Sequence, residues 1–392
     1  MRSGFKNTGW LFLLLFFCNC KTPYNPTPIT TVTNYLVVEG FINITDSTYV
    51  NLSRTVTLNS SITKPELKAT VTIENNTGTS YPLKELGNGV YASAPLNLSA
   101  ANQYHLRIKT STGNQYVSDF VPAKISPPID SITWAPKTNG LEIYANTHDP
   151  NNATHYYRWD FTEEWEFHSN YNSAYISNGL QVVPRTPSQQ IWDCFTGDVS
   201  SSISVGTSAQ LGKDVISQQV INTIPSTAEK ISVKYSTFVK QYALTKEAYD
   251  YWSLLKKNTE QLGSIFDAQP SASIGNIHGV TNPAEVVIGY ISAGTVTTNR
   301  IFIAKSQLPN WRTIPFYPNC ASDSIFLVSP PAPNAKPTED QILNYKSVSF
   351  ESTLSQQIPI IDFGPPAGYI SAAPICVDCT LRGKVAPPPY WK

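Results

Sequence analysis

The chain has 392 residues, only 14% of them charged, and a formal net charge of zero. That length accommodates two or three domains with a well-buried core, and the sparse, balanced charge argues against a nucleic-acid binder, which would cluster its basic residues. The densest basic pair, Lys256-Lys257, reads as part of a solvated helix face.

At the N-terminus, Arg2 and Lys6 precede an apolar run from Trp10 to Phe17 that ends at Cys18-Asn19-Cys20. A run of about eight residues covers roughly 12 Å as a helix, against roughly 30 Å of bilayer hydrocarbon, so it is too short to span. The pattern reads as a lipoprotein export signal over residues 1–20 with Cys20 as the lipid-bearing residue; Cys18 is the alternative. Two acyl chains there give stable attachment, since each buried CH2 contributes about 0.8 kcal/mol. Residues 21–33, with prolines at 23, 26 and 28, form a stiff extended tether.

Beyond the tether, residues 34–125 carry short strand signals at roughly ten-residue spacing, from Leu36-Val37-Val38 to Gln115-Tyr116-Val117-Ser118. Such spacing predicts a β-sandwich. Prolines 122, 127 and 128 mark its end. From 129 to 392 the strand pattern resumes, in Ile132-Thr133-Trp134, Leu141 to Tyr144, Tyr156 to Phe161, Ile231 to Tyr235, Val286 to Ile291 and Arg300 to Ile303. This predicts a second β-sandwich-type domain. One helix is expected within it, near 245–262, capped by Thr245 and stopped by Gly263, with Ala248, Trp252, Leu255 and Leu262 on one face. The polar stretch from Ser169 to Ser226 has weak periodicity and reads as long loops around a few strands, anchored at Cys194.

The cysteines beyond the export signal are Cys194, Cys320, Cys376 and Cys379. An even number in an exported chain implies disulfides. Three pairings are open; the Cys376-Val377-Asp378-Cys379 spacing permits a local bridge, which would leave Cys194 to Cys320. A four-thiolate zinc site would normally use two close pairs, and here there is one. A redox role is disfavoured because this C-x-x-C sits beside Pro387-Pro388-Pro389 instead of opening a helix.

Nucleophile elbows, phosphate loops, zinc helices and dinucleotide fingerprints are all missing from the sequence. In an extended strand, Glu164, Glu166 and His168 would share one face. Their alternation with Trp165 and Phe167 is also that of an ordinary half-buried strand, the preferred reading. The turn Thr147-His148-Asp149-Pro150-Asn151-Asn152 offers oxygens to a hard cation, but Asn and Asp in turns commonly serve the backbone. No metal and no cofactor is assigned. The stronger lead is aromatic: Tyr156, Tyr157, Trp159, Trp165, Tyr171 and Tyr175 form a stretch suited to contacting a glycan or protein partner.

Several strings together resemble a known family. Leu36-Val37-Val38-Glu39-Gly40, Leu52-Ser53-Arg54-Thr55, Ala248-Tyr249-Asp250-Tyr251-Trp252, Gly263 to Pro270, Gly275-Asn276-Ile277 and Cys376 to Gly383 with Tyr390-Trp391 are similar to the Bacteroidota lipoproteins of the domain of unknown function 4249 family. The resemblance implies an outer-membrane lipoprotein encoded beside a TonB-dependent transporter, an immunoglobulin-like or carboxypeptidase-regulatory-like sandwich at the N-terminus, and no assigned activity. Asp46-Ser47-Thr48, Asp130-Ser131-Ile132 and Asp323-Ser324-Ile325 resemble the O-glycosylation acceptors of exported proteins in that phylum.

The leading expectation is a non-enzymatic accessory lipoprotein that captures a glycan or peptide ligand for a TonB-dependent transporter. An adhesin-like or structural surface protein binding glycan or an envelope protein through residues 156–175 is the alternative. A hydrolase comes third, without a nucleophile-and-base pair in the sequence.

Overall fold

The computed structural model describes residues 34–56, 64–177, 182–260, 275–315, 317, 320–326, 354–358 and 368–391. The export signal, Cys20 and the tether lie outside the described residues, as do Leu262 and the Gly263 to Pro270 string. The chain is mainly β, with one long helix among the described residues, Lys246–Glu260. None of the described helices is long and apolar enough to cross a membrane.

The first unit grows from alternation. In the strand Leu36–Asn43, the side chains of Leu36, Val38 and Ile42 point inward and are buried. Tyr49–Arg54 pairs with it antiparallel and buries Val50 and Leu52 beside them. Through Val90–Ala92, Ser80–Gly87, Thr70–Asn75 and Gln103–Lys109 the pairing continues to Val121–Lys124. That last strand pairs in turn with Ser292–Gly294, which lies parallel to Leu36–Asn43. The pairings therefore close into a ring around one apolar core, and closure leaves the strands of the ring itself without a free edge.

Completing the ring takes residues from the far side of the second unit. Ile277–Gly279 extends the sheet beside Gln115–Ser118, while Val287–Ile288 and Ser292–Gly294 run parallel to the first strand. This amends the expected division, which assigned everything after residue 129 to the second domain. Two polar groups fix the returning segment. Asn276, 6% exposed, accepts a hydrogen bond from the Ile291 amide at 2.8 Å and donates to the Ile291 carbonyl at 2.9 Å. Arg54 reaches both Glu66 at 2.6 Å and, from the returning segment, Glu285 at 3.4 Å. At Gly289, with φ +141°, a Cβ would stand 2.1 Å from the Val38 carbonyl oxygen, so a bare backbone is required for this close approach.

In the second unit two sheets pack face to face. The smaller joins Ile129–Lys137, Gly140–His148 and Val215–Pro225. The larger is centred on the long strand Tyr156–His168, flanked by Lys234–Ala243 and Val296–Ala304 on one side and by Ser204–Thr207 and Asp193–Val199 on the other. Between them Ile132, Leu141 and Ile143 meet Tyr157, Trp159, Phe161, Tyr235, Val239 and Ile303. Strand period two puts the alternate residues Arg158, Asp160, Thr162, Glu164, Glu166 and His168 on the opposite, outer face.

The units are joined by a polar knot. Gln241 is fully buried, accepts from the Trp159 indole N–H at 2.9 Å, and donates to the Pro127 carbonyl at 2.9 Å and Thr147 Oγ1 at 3.2 Å. Thr147 Oγ1 donates in turn to the Pro128 carbonyl, and Thr297 to that of Pro127. Two of the prolines expected to mark the domain boundary, Pro127 and Pro128, are thus hydrogen-bonded into the second unit, because buried carbonyls need donors.

The disulfides are Cys194–Cys379 and Cys320–Cys376. Neither is the local Cys376–Cys379 bridge that spacing permits, nor its complement Cys194–Cys320, and with all four thiols in disulfides the four-thiolate zinc alternative falls. The physical reason is where the fold places the two turns. The helical turn Pro374–Val377 and the 3-10 turn Cys379–Leu381, capped by Asp378, present adjacent cysteines to different segments.

Replacing Gln241 by Leu orphans the Trp159 indole and takes one of two donors from the Pro127 carbonyl, which Thr297 still serves, and should destabilise the oxidised protein by about 1–3 kcal/mol in urea unfolding. Cleavage ahead of aspartate residues separates Cys376 from Cys379 at Asp378. Non-reducing mass spectrometry should then link the Cys194 peptide to the one beginning at Asp378, and the Cys320 peptide to the one ending at Val377.

Candidate functional site

A cleft of about 1060 Å³ opens where the outer face of the large sheet meets the first unit. Its floor holds Arg158, Asp160, Phe238, Lys240, Tyr242 and Thr298, brought together by antiparallel register: Arg158 lies opposite Tyr242, and Asp160 opposite Lys240. One wall is the first unit's strand from Val37 to Phe41 with the returning residues Ile288 to Tyr290, and the other is the helix, through Tyr251, Trp252 and Leu255.

The helix sits where it does for sequence reasons. Thr245 caps it, its Oγ1 accepting from the Ala248 amide at 3.2 Å, with Glu247 in the first turn; both suit the positive end of the helix dipole. Ala248 and Tyr251 are buried, and the small Ala248 lets the helix settle against Tyr242 and Leu244, with Phe41, Tyr156, Tyr249 and Tyr290 packed around them. Phe41 meets Tyr242 edge-on at 4.9 Å, and Tyr251 meets Tyr290 at 5.2 Å, so aromatic contacts from both units and the helix frame the cleft.

Arg158 is the central charged group. Its guanidinium lies 4.6 Å from the Tyr242 ring centroid and 4.2 Å from that of Trp252, and it pairs with Asp160 at 2.8 Å. The Arg158 side chain is 13% exposed while that of Asp160 is 41% exposed, so the arginine is fixed and the carboxylate faces the opening. Arg158 Nε is buried without a hydrogen-bond partner among the described residues. Burial, reinforced by Asp160, pushes the Tyr242 hydroxyl well above its ordinary range, so it remains a neutral donor. Cation–π stacking between two rings holds a guanidinium in a set plane, and the cleft presents flat aromatic surfaces beside paired polar groups.

Further along the same outer face, Arg300 bonds Glu164 at 2.7 Å and lies 3.9 Å from the Tyr390 ring centroid, while Tyr390 donates to Glu164. Trp391 packs edge-on against Phe195 and Phe302. The chain's last described aromatics thus cover the middle of the sheet. Beyond them lie Glu166, His168 and Asp193, whose ligand-type atoms all fall within 4.8 Å of one another. Glu164, expected to share a metal-type face with Glu166 and His168, is engaged by Arg300 and Tyr390, and Asp193 of the neighbouring strand stands in the group.

Within the aromatic stretch expected to contact a partner, burial divides the residues between core and half-buried positions. Tyr157 and Trp159 are fully buried; Tyr156 packs on Tyr249 of the helix; Trp165 is half-buried beneath Lys230. Tyr171 donates to the Cys320 carbonyl, and the half-buried Tyr175 opens the strand Tyr175–Ser177. These residues build the scaffold. The cleft aromatics come from separate segments at 41, 242, 251, 252 and 290, which no local cluster in the sequence announces. In the turn at 147–152, Asp149 accepts from the amides of Asn151, Ala153 and Thr154, the backbone role ordinarily expected of an aspartate there.

Fold and site define a mainly β, disulfide-linked protein with a concave aromatic cleft at the junction of two packed units. Residues 21–300 match the model of the Domain of unknown function (DUF4249), and the chain belongs to that family. No curated protein matches it. Among solved structures, a two-domain fibronectin type-III segment of chicken tenascin aligns with 54% of this chain and 92% of its own at 12% identity, TM-score 0.15. A chain from the structure of Gaeumannomyces graminis manganese lipoxygenase and Komagataella pastoris zonadhesin aligns with 55% and 91% at 9% identity, TM-score 0.14. Overlaps this low carry no argument.

Proposed function

We propose that this chain is a non-enzymatic outer-membrane lipoprotein, held by lipid on Cys20, that captures a glycan or peptide ligand for a TonB-dependent transporter. The observation that carries the reading is the junctional cleft. Its volume of about 1060 Å³ is at the upper end of ordinary small-molecule pockets and suits an oligomeric ligand. Flat aromatic walls and the fixed Arg158–Asp160 pair suit sugar rings or peptide groups, which offer both apolar faces and hydrogen-bonding edges.

The family resemblance supplies the transporter and the export signal supplies the membrane. In this reading the first unit is an immunoglobulin-like sandwich at the end of the tether, and the second is a sandwich whose helical insertion forms one wall of the cleft. The adhesin-like reading is weaker, since Tyr157 and Trp159 of the stretch that would make its contacts are core residues and the other four aromatics are half-buried.

Affinity-tagged protein extracted from native membranes in mild detergent should carry a β-barrel transporter at near-equal stoichiometry; recovery of the lipoprotein alone would contradict the partnership. In glycan and peptide array binding, Trp252→Ala combined with Arg158→Ala should weaken the captured ligand about 10- to 100-fold. Unchanged array binding would remove the cleft from the site.

A further inference from the structure

The geometry points to a divalent metal site of the Mn2+ to Zn2+ class formed by Glu166, His168 and Asp193, at the end of the large sheet away from the cleft. Register builds it. His168 stands directly opposite Asp193, and Glu166, two residues before His168, lies opposite Phe195 on the same face. One imidazole and two carboxylates are a donor set that such ions accept, whereas calcium and magnesium favour oxygen alone.

The three groups are held rather than free. The His168 ring stacks on Trp192 with centroids 3.8 Å apart, and the Tyr317 hydroxyl donates to the His168 carbonyl at 2.7 Å. Cys194, next to Asp193, is tied to Cys379, and the intervening Phe167 is fully buried. These contacts fix the strand ends from which the ligands project, as a preformed site requires.

The polar atoms themselves call for a cation. Asp193 Oδ1 is shut off from solvent, and with the neighbouring Glu166 carboxylate ionised it accepts no hydrogen bond among the described residues. It faces His168 Nε2 at 3.7 Å, beyond hydrogen-bond length. Two donors at that separation, each about 2.1 Å from a shared ion, subtend roughly 120° at it, close to a tetrahedral or trigonal arrangement. Donors sharing an ion lie at most about 4.2 Å apart, so the 4.8 Å limit on the group asks for a closure of no more than roughly 0.6 Å, within the reach of a carboxylate rotation. The His168 and Asp193 side chains are about one-third exposed, which leaves a route for the ion and an open coordination position.

Metal-free full-length protein, equilibrated with Zn2+ or with Mn2+ alone and desalted, should retain about one ion per chain by elemental analysis, and Co2+ should give visible absorption bands of a nitrogen- and oxygen-ligated site. His168→Ala with Asp193→Asn should lower the affinity at least tenfold, as should the milder Glu166→Gln. Glu164→Gln should leave binding unchanged. Retention of neither ion, or retention indifferent to the ligand substitutions in protein with both disulfides intact, would overturn the assignment.

Discussion

The structure depends first on the carboxamide of Gln241. It bonds both the core of the second unit, through Trp159, and the linker, through Pro127, while the neighbouring Thr147 reaches Pro128. A buried amide is costly unless its donors and acceptor are matched; here they are matched across elements distant in sequence. Linker geometry is therefore not free, and the first unit leaves the second at a set angle. The chain then crosses the junction twice more, once to deliver the returning strands and once at Thr295, whose hydroxyl accepts from the Ser126 amide. Three crossings and one buried knot make the junction part of the fold.

A site at such a junction inherits its rigidity. The cleft floor is sheet, one wall is a strand fixed in the ring of the first unit, and the other is a capped helix seated through Ala248. The guanidinium of Arg158 needs both Tyr242 from the sheet and Trp252 from the helix, so the electrostatics of the cleft exist only in the assembled molecule. Preorganisation of this kind lowers the ordering cost of binding. The outer face of the large sheet then runs from the cleft, under Tyr390 and Trp391, to Glu166, His168 and Asp193, so a single strand, Tyr156–His168, positions groups for two different chemistries.

Much of this was readable locally. Alternation located many of the strands, including Tyr156 to Phe161 and the half-buried alternation at 164–168 that prove to be one strand, and the Thr245 cap announced the helix. The strings that resemble the family also acquire physical roles: Arg54 and Asn276 secure the returning segment, the residues around Trp252 wall the cleft, and Cys376 and Cys379 reach two different partners. The non-local features were hidden. Val287–Ile288 and Ser292–Gly294 are too short to declare which strand they join, and parallel pairing with residues some 250 positions earlier leaves no periodic trace. Spacing made Cys376–Cys379 look natural, but tertiary placement decided the partners. The cluster at 156–175 was conspicuous because a core strand is rich in aromatics, and the same alternation that marked the strand turned Tyr157 and Trp159 inward. Asp193 joined Glu166 and His168 only through pairing across an intervening loop.

The two β units form one cooperative structure with the cleft fixed between them. Scanning calorimetry of the oxidised protein without its lipid anchor tests it most directly. A single transition, with calorimetric and van't Hoff enthalpies in agreement, is the predicted result; two resolved transitions, one for each unit, would contradict it.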